Sequence, residues 1–122
     1  MKPLLLAAKT LSDPTRIRVL VALREGGLCV CELCDALDVT QSTLSSHLQV
    51  IRNSGLAETR REGKWMYYTL TDPARKLLEG FFGPFETVLA KDAKIRSDAV
   101  RLKKRLAARQ QGVCCLGFNT CG

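Results

Sequence analysis

Two clusters of cysteine residues are the part of this sequence best suited to chemistry. The first cluster, in the stretch GGLCVCELCDAL, comprises Cys29, Cys31 and Cys34. The second cluster, in the stretch VCCLGFNTCG, comprises Cys114, Cys115 and Cys121. Thiolates bind soft ions and undergo reversible oxidation, whereas a cysteine on a packed helix can also simply fill a core. The residue types alone leave metal ligation, disulfide formation, redox sensing and buried packing open.

The charge of the chain favours a polyanionic partner. Lysine and arginine number 19 against 12 acidic residues, which gives a net charge of +7. Nucleic acid is the first expectation and an anionic membrane surface the second. The apolar run at residues 4–8 is shorter than the core of a signal peptide, and no run is long enough to span a membrane. We therefore expect a cytoplasmic protein with no membrane partner, in a compartment that keeps thiols reduced and disfavours structural disulfides.

The first cysteine cluster falls at the start of a predicted helix-turn-helix. A preceding helix is predicted to begin at Pro14 with Asp13 as its cap. The apolar spacing then predicts a short helix over residues 30–37 and a longer one over residues 41–55, with Thr40 as the N-cap of the longer helix. A short helix, a turn of about three residues and a capped second helix form a helix-turn-helix, in which the second helix reads DNA.

The outward face of the predicted reading helix is polar and carries a single charge. Short hydroxyl and amide side chains can lie close to base edges and phosphates, whereas solvated helix faces usually carry more lysine and glutamate. The predicted DNA-contacting residues of this helix are Gln41, Ser42, Thr43, Ser45, Ser46, Gln49 and Arg52.

A β-hairpin is predicted directly after the reading helix. Aromatic and β-branched residues lie on either side of Glu62-Gly63, which predicts a tight turn with a positive φ at Gly63. A basic hairpin in this position is typical of a wing that contacts phosphate or the minor groove. The predicted DNA-contacting residues of the wing are Arg60, Arg61 and Lys64.

The two ends of the chain are predicted to mediate dimerisation. A helix over residues 3–11 and a helix from residue 85 to about residue 109, separated from the preceding helix by Pro84, both carry apolar stripes without an obvious partner. A homodimer would bury them and present two reading helices to palindromic double-stranded operator DNA. We predict a DNA-binding and dimerisation domain over residues 1–110 and a flexible cysteine-rich tail over residues 111–122. The predicted fold class is mainly α with a β-hairpin wing (α+β), a winged helix-turn-helix.

Four motifs in order carry a resemblance to a known family: LSDPTRIRVLVAL, LCVCELCDAL, TQSTLSSHLQVIRNSGL and REGKWMYYTL. Together they resemble the ArsR/SmtB family of metal-responsive winged-helix repressors, over about residues 9–70. The element LCVCELC resembles the inducer site of the arsenic-responsive branch. The resemblance implies an autoregulated repressor of an arsenic-resistance operon, with trivalent arsenic or antimony bound at Cys29, Cys31 and Cys34. The second cluster is similar to the inducer site of another arsenic-sensing lineage, which implies a second candidate site at Cys114, Cys115 and Cys121.

The ligand chemistry agrees with this implied inducer. Trivalent arsenic takes three sulfur ligands, whereas zinc prefers four ligands in a tetrahedron, and the single histidine, His47, lies on the reading helix. Zinc and nickel are therefore disfavoured, while cadmium and lead remain open. On a regular helix Cys31 and Cys34 share a face and Cys29 and Cys31 do not, so three sulfurs converge only if Cys29 lies ahead of the helix or the first turn unwinds. The hypothesis is that binding distorts this helix and releases DNA.

Other functions use the same thiols differently. A redox or persulfide sensor would form a reversible disulfide. A thiol oxidoreductase would use Cys31-x-x-Cys34, but no βαβ pattern surrounds it and only Glu32 and Asp35 lie nearby as acids, so we expect no enzyme. An architectural DNA-binding protein would leave the thiols inert. The position at a helix N-terminus is expected to lower the thiol pKa values and so to favour ion binding.

Overall fold

The computed structural model describes residues 1–109. Its helices and strands in chain order are α1 (Lys2–Thr10), α2 (Pro14–Leu23), β1 (Leu28–Cys29), α3 (Val30–Leu37), α4 (Gln41–Asn53), β2 (Ala57–Glu62), β3 (Trp65–Leu70), α5 (Asp72–Phe82), a short 3-10 turn (Gly83–Phe85), α6 (Glu86–Lys91) and α7 (Ala93–Ala107). The second cysteine cluster, the predicted domain boundary and the predicted tail lie outside the described residues. The predicted fold class, a mainly helical winged helix-turn-helix, is confirmed.

Local sequence signals set the boundaries of the helices that lead to the reading helix. The Asp13 side chain caps α2 by accepting from the backbone N–H of Arg16, and Pro14 occupies the first turn, as predicted. Helix α3 covers the predicted residues and ends at Asp38, which adopts the left-handed conformation with φ 53°. Thr40 then caps α4 by accepting from the N–H of Thr43 at 3.3 Å.

The wing is a three-stranded antiparallel sheet in the order β1-β3-β2. β2 and β3 form the predicted hairpin, in register from Ala57 opposite Leu70 to Glu62 opposite Trp65. Gly63 has φ 60° in the turn, a conformation that favours glycine. β1 was not predicted; its two residues pair with Tyr67 and Tyr68 of β3 and so join the wing to the start of α3.

The core lies between the helix-turn-helix and the helices around it. Leu20, Leu33, Leu44 and Ile51 are each 0% exposed and come from α2, α3 and α4. Helix α7 packs along α3 and α2, with Leu102 buried against the same core. The reading helix is therefore held on a rigid base that includes the last described helix.

The C-terminal helical region differs from the prediction in one respect. The break around Pro84 is present as the 3-10 turn. A continuous helix from residue 85 to about residue 109 is wrong, because Asp92 adopts an extended backbone with ψ 127° and its side chain caps α7 by accepting from the N–H of Ile95. The turn at Asp92 allows α7 to change direction and lie against α3.

Candidate DNA interface and thiol site

The predicted reading positions all lie on the solvent-exposed face of α4. Leu44, Leu48 and Ile51 form the buried face of this helix, which fixes its rotation on the core. The exposed residues are Gln41, Ser42, Thr43, Ser45, Ser46, Gln49 and Arg52. Their polar face contains hydroxyls that hydrogen-bond locally, for example Ser46 to the carbonyl of Thr43 at 3.0 Å. The structure thus presents these residues together as one surface, and their contact with DNA stays a prediction.

The wing presents its basic residues beside this surface. Arg60, Arg61 and Lys64 are exposed on the β2–β3 hairpin. Arg60 forms an exposed ion pair with Glu62 at 3.1 Å, which contributes little to stability because both groups remain hydrated. Such exposed basic side chains at a hairpin end are suited to phosphate contacts.

Cys29 and Cys31 form a buried pair where β1 meets α3. Cys29 is the N-cap of α3 and has an extended backbone (φ −83°, ψ 166°), and the Cys29 and Cys31 sulfur atoms lie 2.8 Å apart. Both residues are almost fully buried, in a small cluster with Tyr67 and Trp65 of β3. Of the two conditions under which these sulfurs were predicted to converge, the structure shows the first, because Cys29 lies ahead of the helix and does not follow its periodicity.

Cys34 lies apart from this pair. It is partly buried and packs against the main core, whereas Cys29 and Cys31 pack against the wing. Burial raises the pKa of the Cys34 thiol, so the lowering expected from the helix N-terminus does not extend to this residue. Within residues 1–109, no three histidine, cysteine or acidic residues form a group ready to hold a metal ion.

Cys31 is in its oxidised, disulfide-bonded form in this structure. Thiolate ligation by Cys31 therefore requires the reduced protein. This requirement makes the oxidation state of Cys31 a variable in every experiment on the cluster.

A buried ion pair between α3 and the residue after α7 adjoins the thiol pair. Glu32 is 0% exposed, and its carboxylate accepts two hydrogen bonds from Arg109, at 2.6 and 2.7 Å. Oε1 of Glu32, which accepts the 2.6 Å bond, also accepts from the backbone N–H of Cys29 at 3.1 Å. Arg109 donates in addition to the carbonyl of Gly27 at 2.8 Å. The hydrogen bonds to Glu32 raise the pKa of the Arg109 guanidinium against the opposing effect of burial.

Two arginines of α7 and Arg109, just after its end, contact α3 at successive positions. Arg101 donates to the carbonyl of Ala36 at 2.8 Å, and Arg105 approaches Asp35 at 3.3 Å, one turn before Arg109 reaches Glu32. These basic residues therefore do not form a purely solvated face. The signal was present in the sequence as arginines four residues apart, matched by acidic residues three apart on α3.

Within the described residues, no helix is both long enough and apolar enough to cross a membrane.

Comparison with known proteins gives the family of the chain. Residues 13–59 match the family model described as bacterial regulatory protein, arsR family. The arsenic resistance transcriptional regulator ArsR1 of Pseudomonas putida is 37% identical over 108 residues, which cover 88% of this chain and 83% of that relative. The arsenical resistance operon repressor of Escherichia coli is 48% identical over 64 residues, 52% of this chain and 55% of that relative.

A solved structure agrees with this assignment. The homodimeric winged helix-turn-helix DNA-binding domain from Mycobacterium bovis matches with a TM-score of 0.67 and 25% identity, over 75% of this chain and 86% of that one. The relatives in these comparisons are transcriptional regulators rather than enzymes. The sequence resemblance is thereby confirmed, and the chain belongs to the arsR family of bacterial regulatory proteins.

Proposed function

We propose that this transcriptional repressor binds palindromic operator DNA as a homodimer and leaves it when trivalent arsenic or antimony binds its cysteine thiolates. The observation that carries the proposal is the buried Cys29–Cys31 pair at the joint between the wing and the helix-turn-helix. Relatives named as arsenic-resistance regulators support the choice of ion. A site at this joint can influence both DNA-contacting elements.

The operator contacts follow from the exposed surface. The polar face of α4 is suited to enter the major groove, and Arg60, Arg61 and Lys64 of the wing are suited to the adjacent phosphates or minor groove. The net charge of +7 would strengthen association with the DNA polyanion and make it depend on salt. The protein would act in the cytoplasm, where its operator is accessible.

Exposed apolar side chains supply the dimer contact. Leu4 and Leu5 of α1 are 66% and 59% exposed, and Phe85 and Val88 are 50% and 65% exposed near α6. Side chains of this kind are costly to leave in water over a contiguous patch. Pairing two copies through them would place two reading helices on successive half-sites of the operator, and the homodimeric relative supports this arrangement.

Ion binding would affect the DNA contacts because short backbone and strand connections join the two cysteines to the wing and to α4. Cys29 belongs to β1, which pairs with Tyr67 of the wing strand β3, and Cys31 belongs to α3, which leads through a turn into α4. Shifting a repressor from almost fully bound to almost fully released takes about 5.5 kcal/mol of differential affinity. Thiolate sites can provide on the order of 10 kcal/mol, so binding strength is sufficient for the switch.

The choice between the two cysteine clusters remains part of the proposal. Cys29, Cys31 and Cys34 are the first candidate site, and moving Cys34 toward the buried pair would require a rearrangement of α3. Cys114, Cys115 and Cys121 are the second candidate site and lie outside the described residues.

A second candidate function uses the closely spaced, buried sulfurs of Cys29 and Cys31, 2.8 Å apart. A repressor that senses oxidants or persulfides would use a reversible disulfide at this position and respond without any ion. Cadmium and lead are the alternative ions for the same thiolates, because both are soft.

The test is a titration of the protein bound to a fluorescent duplex that has been selected from random DNA with the reduced protein. Arsenite, antimonite, cadmium, zinc and hydrogen peroxide are added separately, and the anisotropy of the duplex is followed. We expect arsenite and antimonite to release the DNA, and block replacement of the first cluster by serine to abolish the response. Loss of the response only on replacing the second cluster would move the sensor there, and release by peroxide alone would favour the redox function.

A further inference from the structure

Arg16 connects three helices around the start of α2. Its Nε and Nη2 atoms donate to the carbonyls of Thr10 and Lys9 at the end of α1, both at 3.0 Å. Its Nη1 atom lies 3.4 Å from Nδ1 of His47 on the reading helix α4. Because a guanidinium has only donors, Nδ1 of His47 is the acceptor of this hydrogen bond. One side chain of α2 thus joins the end of α1 to the reading helix.

The cap of α2 fixes the position of this connection. Asp13 accepts from the backbone N–H of Arg16 at 3.0 Å, and its carboxylate lies 3.8 Å from Nδ1 of His47. The His47 side chain points toward the start of α2 and is only 20% exposed, whereas Ser45 and Ser46 beside it are exposed. The donors of Arg16 lie in one rigid plane, so they fix the relative direction of the groups that they contact.

The packing of α1 makes its direction depend on these hydrogen bonds. Thr10 at the end of the helix is buried, but the rest of α1 is exposed or partly buried, with Leu4 and Leu5 at 66% and 59%. Helix α4, in contrast, is fixed on the core by its buried apolar face. A segment with few buried apolar contacts reorients easily unless individual hydrogen bonds hold it. The bonds from Arg16 therefore set the angle between α1 and the rest of the domain.

The angle between α1 and α4 has a consequence for the homodimer. In the proposed dimer, Leu4 and Leu5 of α1 supply part of the contact between the two copies. A two-fold axis at this contact makes the separation of the two reading helices depend on the path from α1 to α4 within each copy. Each reading helix occupies one half-site, so the same path sets the distance between the half-sites that the dimer can read.

We propose that Arg16 and His47 are positioning residues that determine which half-site separation the repressor accepts. This inference rests on the proposed function, because it requires dimerisation through α1 and a palindromic operator. Neither side chain has to contact a base for this role. By holding α1 at one angle to the reading helix, the two residues exclude operators whose half-sites are closer together or farther apart.

The test measures half-site affinity and spacing preference separately. The wild-type protein first selects an operator from random DNA. Duplexes are then prepared with the spacer between the selected half-sites unchanged, changed by one base pair or changed by two, together with a duplex that holds a single half-site. Affinities are measured by fluorescence anisotropy, with circular dichroism and light scattering as checks of fold and dimer. For Arg16→Gln we expect wild-type affinity for the single half-site and a loss of about 10-fold in discrimination between spacers, the order of effect of losing a hydrogen bond to a charged group.

Two substitutions of His47 test the hydrogen bond itself. His47→Ala removes the acceptor, and we expect the same loss of discrimination as in Arg16→Gln. His47→Gln keeps an acceptor oxygen for Arg16 and should retain part of the preference. Arg16→Lys keeps the charge without the planar fork, so its discrimination should lie between wild type and Arg16→Gln, and it replaces Arg16→Gln if that variant does not fold. The matched control Arg75→Gln removes a positive charge from an exposed position on α5 and should leave the discrimination unchanged.

The outcomes separate this inference from the proposed function. Wild-type discrimination in folded, dimeric Arg16→Gln and His47→Ala would refute the positioning role. An equal loss of affinity for the single half-site and for every spacer would also refute it, because it would show a general effect on the reading face or on stability. Selection of an unpaired half-site by the wild-type protein would refute the palindromic operator and this inference together. Release of DNA by arsenite tests the thiol site and does not depend on Arg16.

Discussion

The buried ion pair between α2 and α7 provides a quantitative test of the fold. Arg18 and Asp98 form two hydrogen bonds, at 2.7 and 2.8 Å, and their side chains are only 12% and 8% exposed. Arg101 adds a bond to the same carboxylate at 3.0 Å. Arg18 and Arg101 also donate to the carbonyls of Leu37 and Ala36 at the end of α3, directly before the turn into the reading helix.

The perturbation is Asp98→Asn, which keeps the shape of the side chain and removes its charge. Removing one partner of a buried pair costs about 3–5 kcal/mol, because the remaining charge is left uncompensated. For a domain of this size each 1 kcal/mol lowers Tm by about 4–8 °C, so we expect a decrease of at least about 12 °C. Because the two arginines also hold the end of α3, we expect weaker DNA binding at temperatures where the variant is still folded.

The assay is thermal and urea unfolding followed by circular dichroism at one fixed protein concentration, because dimerisation links stability to concentration. The matched control is Glu86→Gln, which removes a charge from the Arg24–Glu86 pair at 3.0 Å. That pair is 39% and 51% exposed and should contribute no more than about 1 kcal/mol. If Asp98→Asn shifts the unfolding transition no further than Glu86→Gln does, the assigned role of the buried pair is incorrect.

Three further predictions concern the wing, the cap of α2 and the first cluster. Arg61→Ala should weaken binding to all DNA sequences and reduce the slope of log affinity against log salt by about one. The control Lys76→Ala, at an exposed position on α5, should change neither. An unchanged slope for Arg61→Ala argues against a phosphate contact by the wing. Burial opposes ionisation of Asp13, but hydrogen bonding from Arg16 and nearby positive charge lower its pKa in the folded protein. The ionised carboxylate therefore stabilises the fold above about pH 4, and this contribution is lost as the pH falls through the lowered folded-state pKa. Urea unfolding of wild type and Asp13→Asn should therefore give free energies that converge in acid, and a difference independent of pH would contradict this. Burial raises the pKa of Cys34, so its alkylation by iodoacetamide in the reduced native protein should have a higher midpoint pH than in urea; equal midpoints would show that the thiol is not shielded.

Short-range signals made most of the winged helix-turn-helix predictable from sequence. Asp13 before Pro14, Thr40 before α4 and Gly63 in the hairpin each satisfy a local backbone requirement, and each acts as predicted. The exposed polar face of α4 was predictable for a similar reason, because its buried leucines recur with the helical period.

The features that were missed depend on contacts between distant residues. β1 has only two residues and is defined by its pairing with β3, so no run of β-forming residues marks it. Glu32 resembles an exposed helical acid until Arg109, 77 residues away, is placed beside it. The position of Cys29 ahead of α3 was predicted only as one of two alternatives, because helical spacing alone does not decide which residue is the N-cap. The break at Asp92 did carry a local signal, since aspartate is a favoured N-cap.

The most direct test of the central claim follows the thiol site and the DNA in one sample. The single tryptophan, Trp65, packs against the Cys29–Cys31 cluster and so reports on events there, while a labelled operator duplex reports on binding. During an arsenite titration of the reduced complex, the account predicts that Trp65 fluorescence and duplex anisotropy change together, and that both changes disappear in Cys29→Ser/Cys31→Ser. A change in Trp65 fluorescence with the DNA still bound, or DNA release that persists in the double variant, would contradict it.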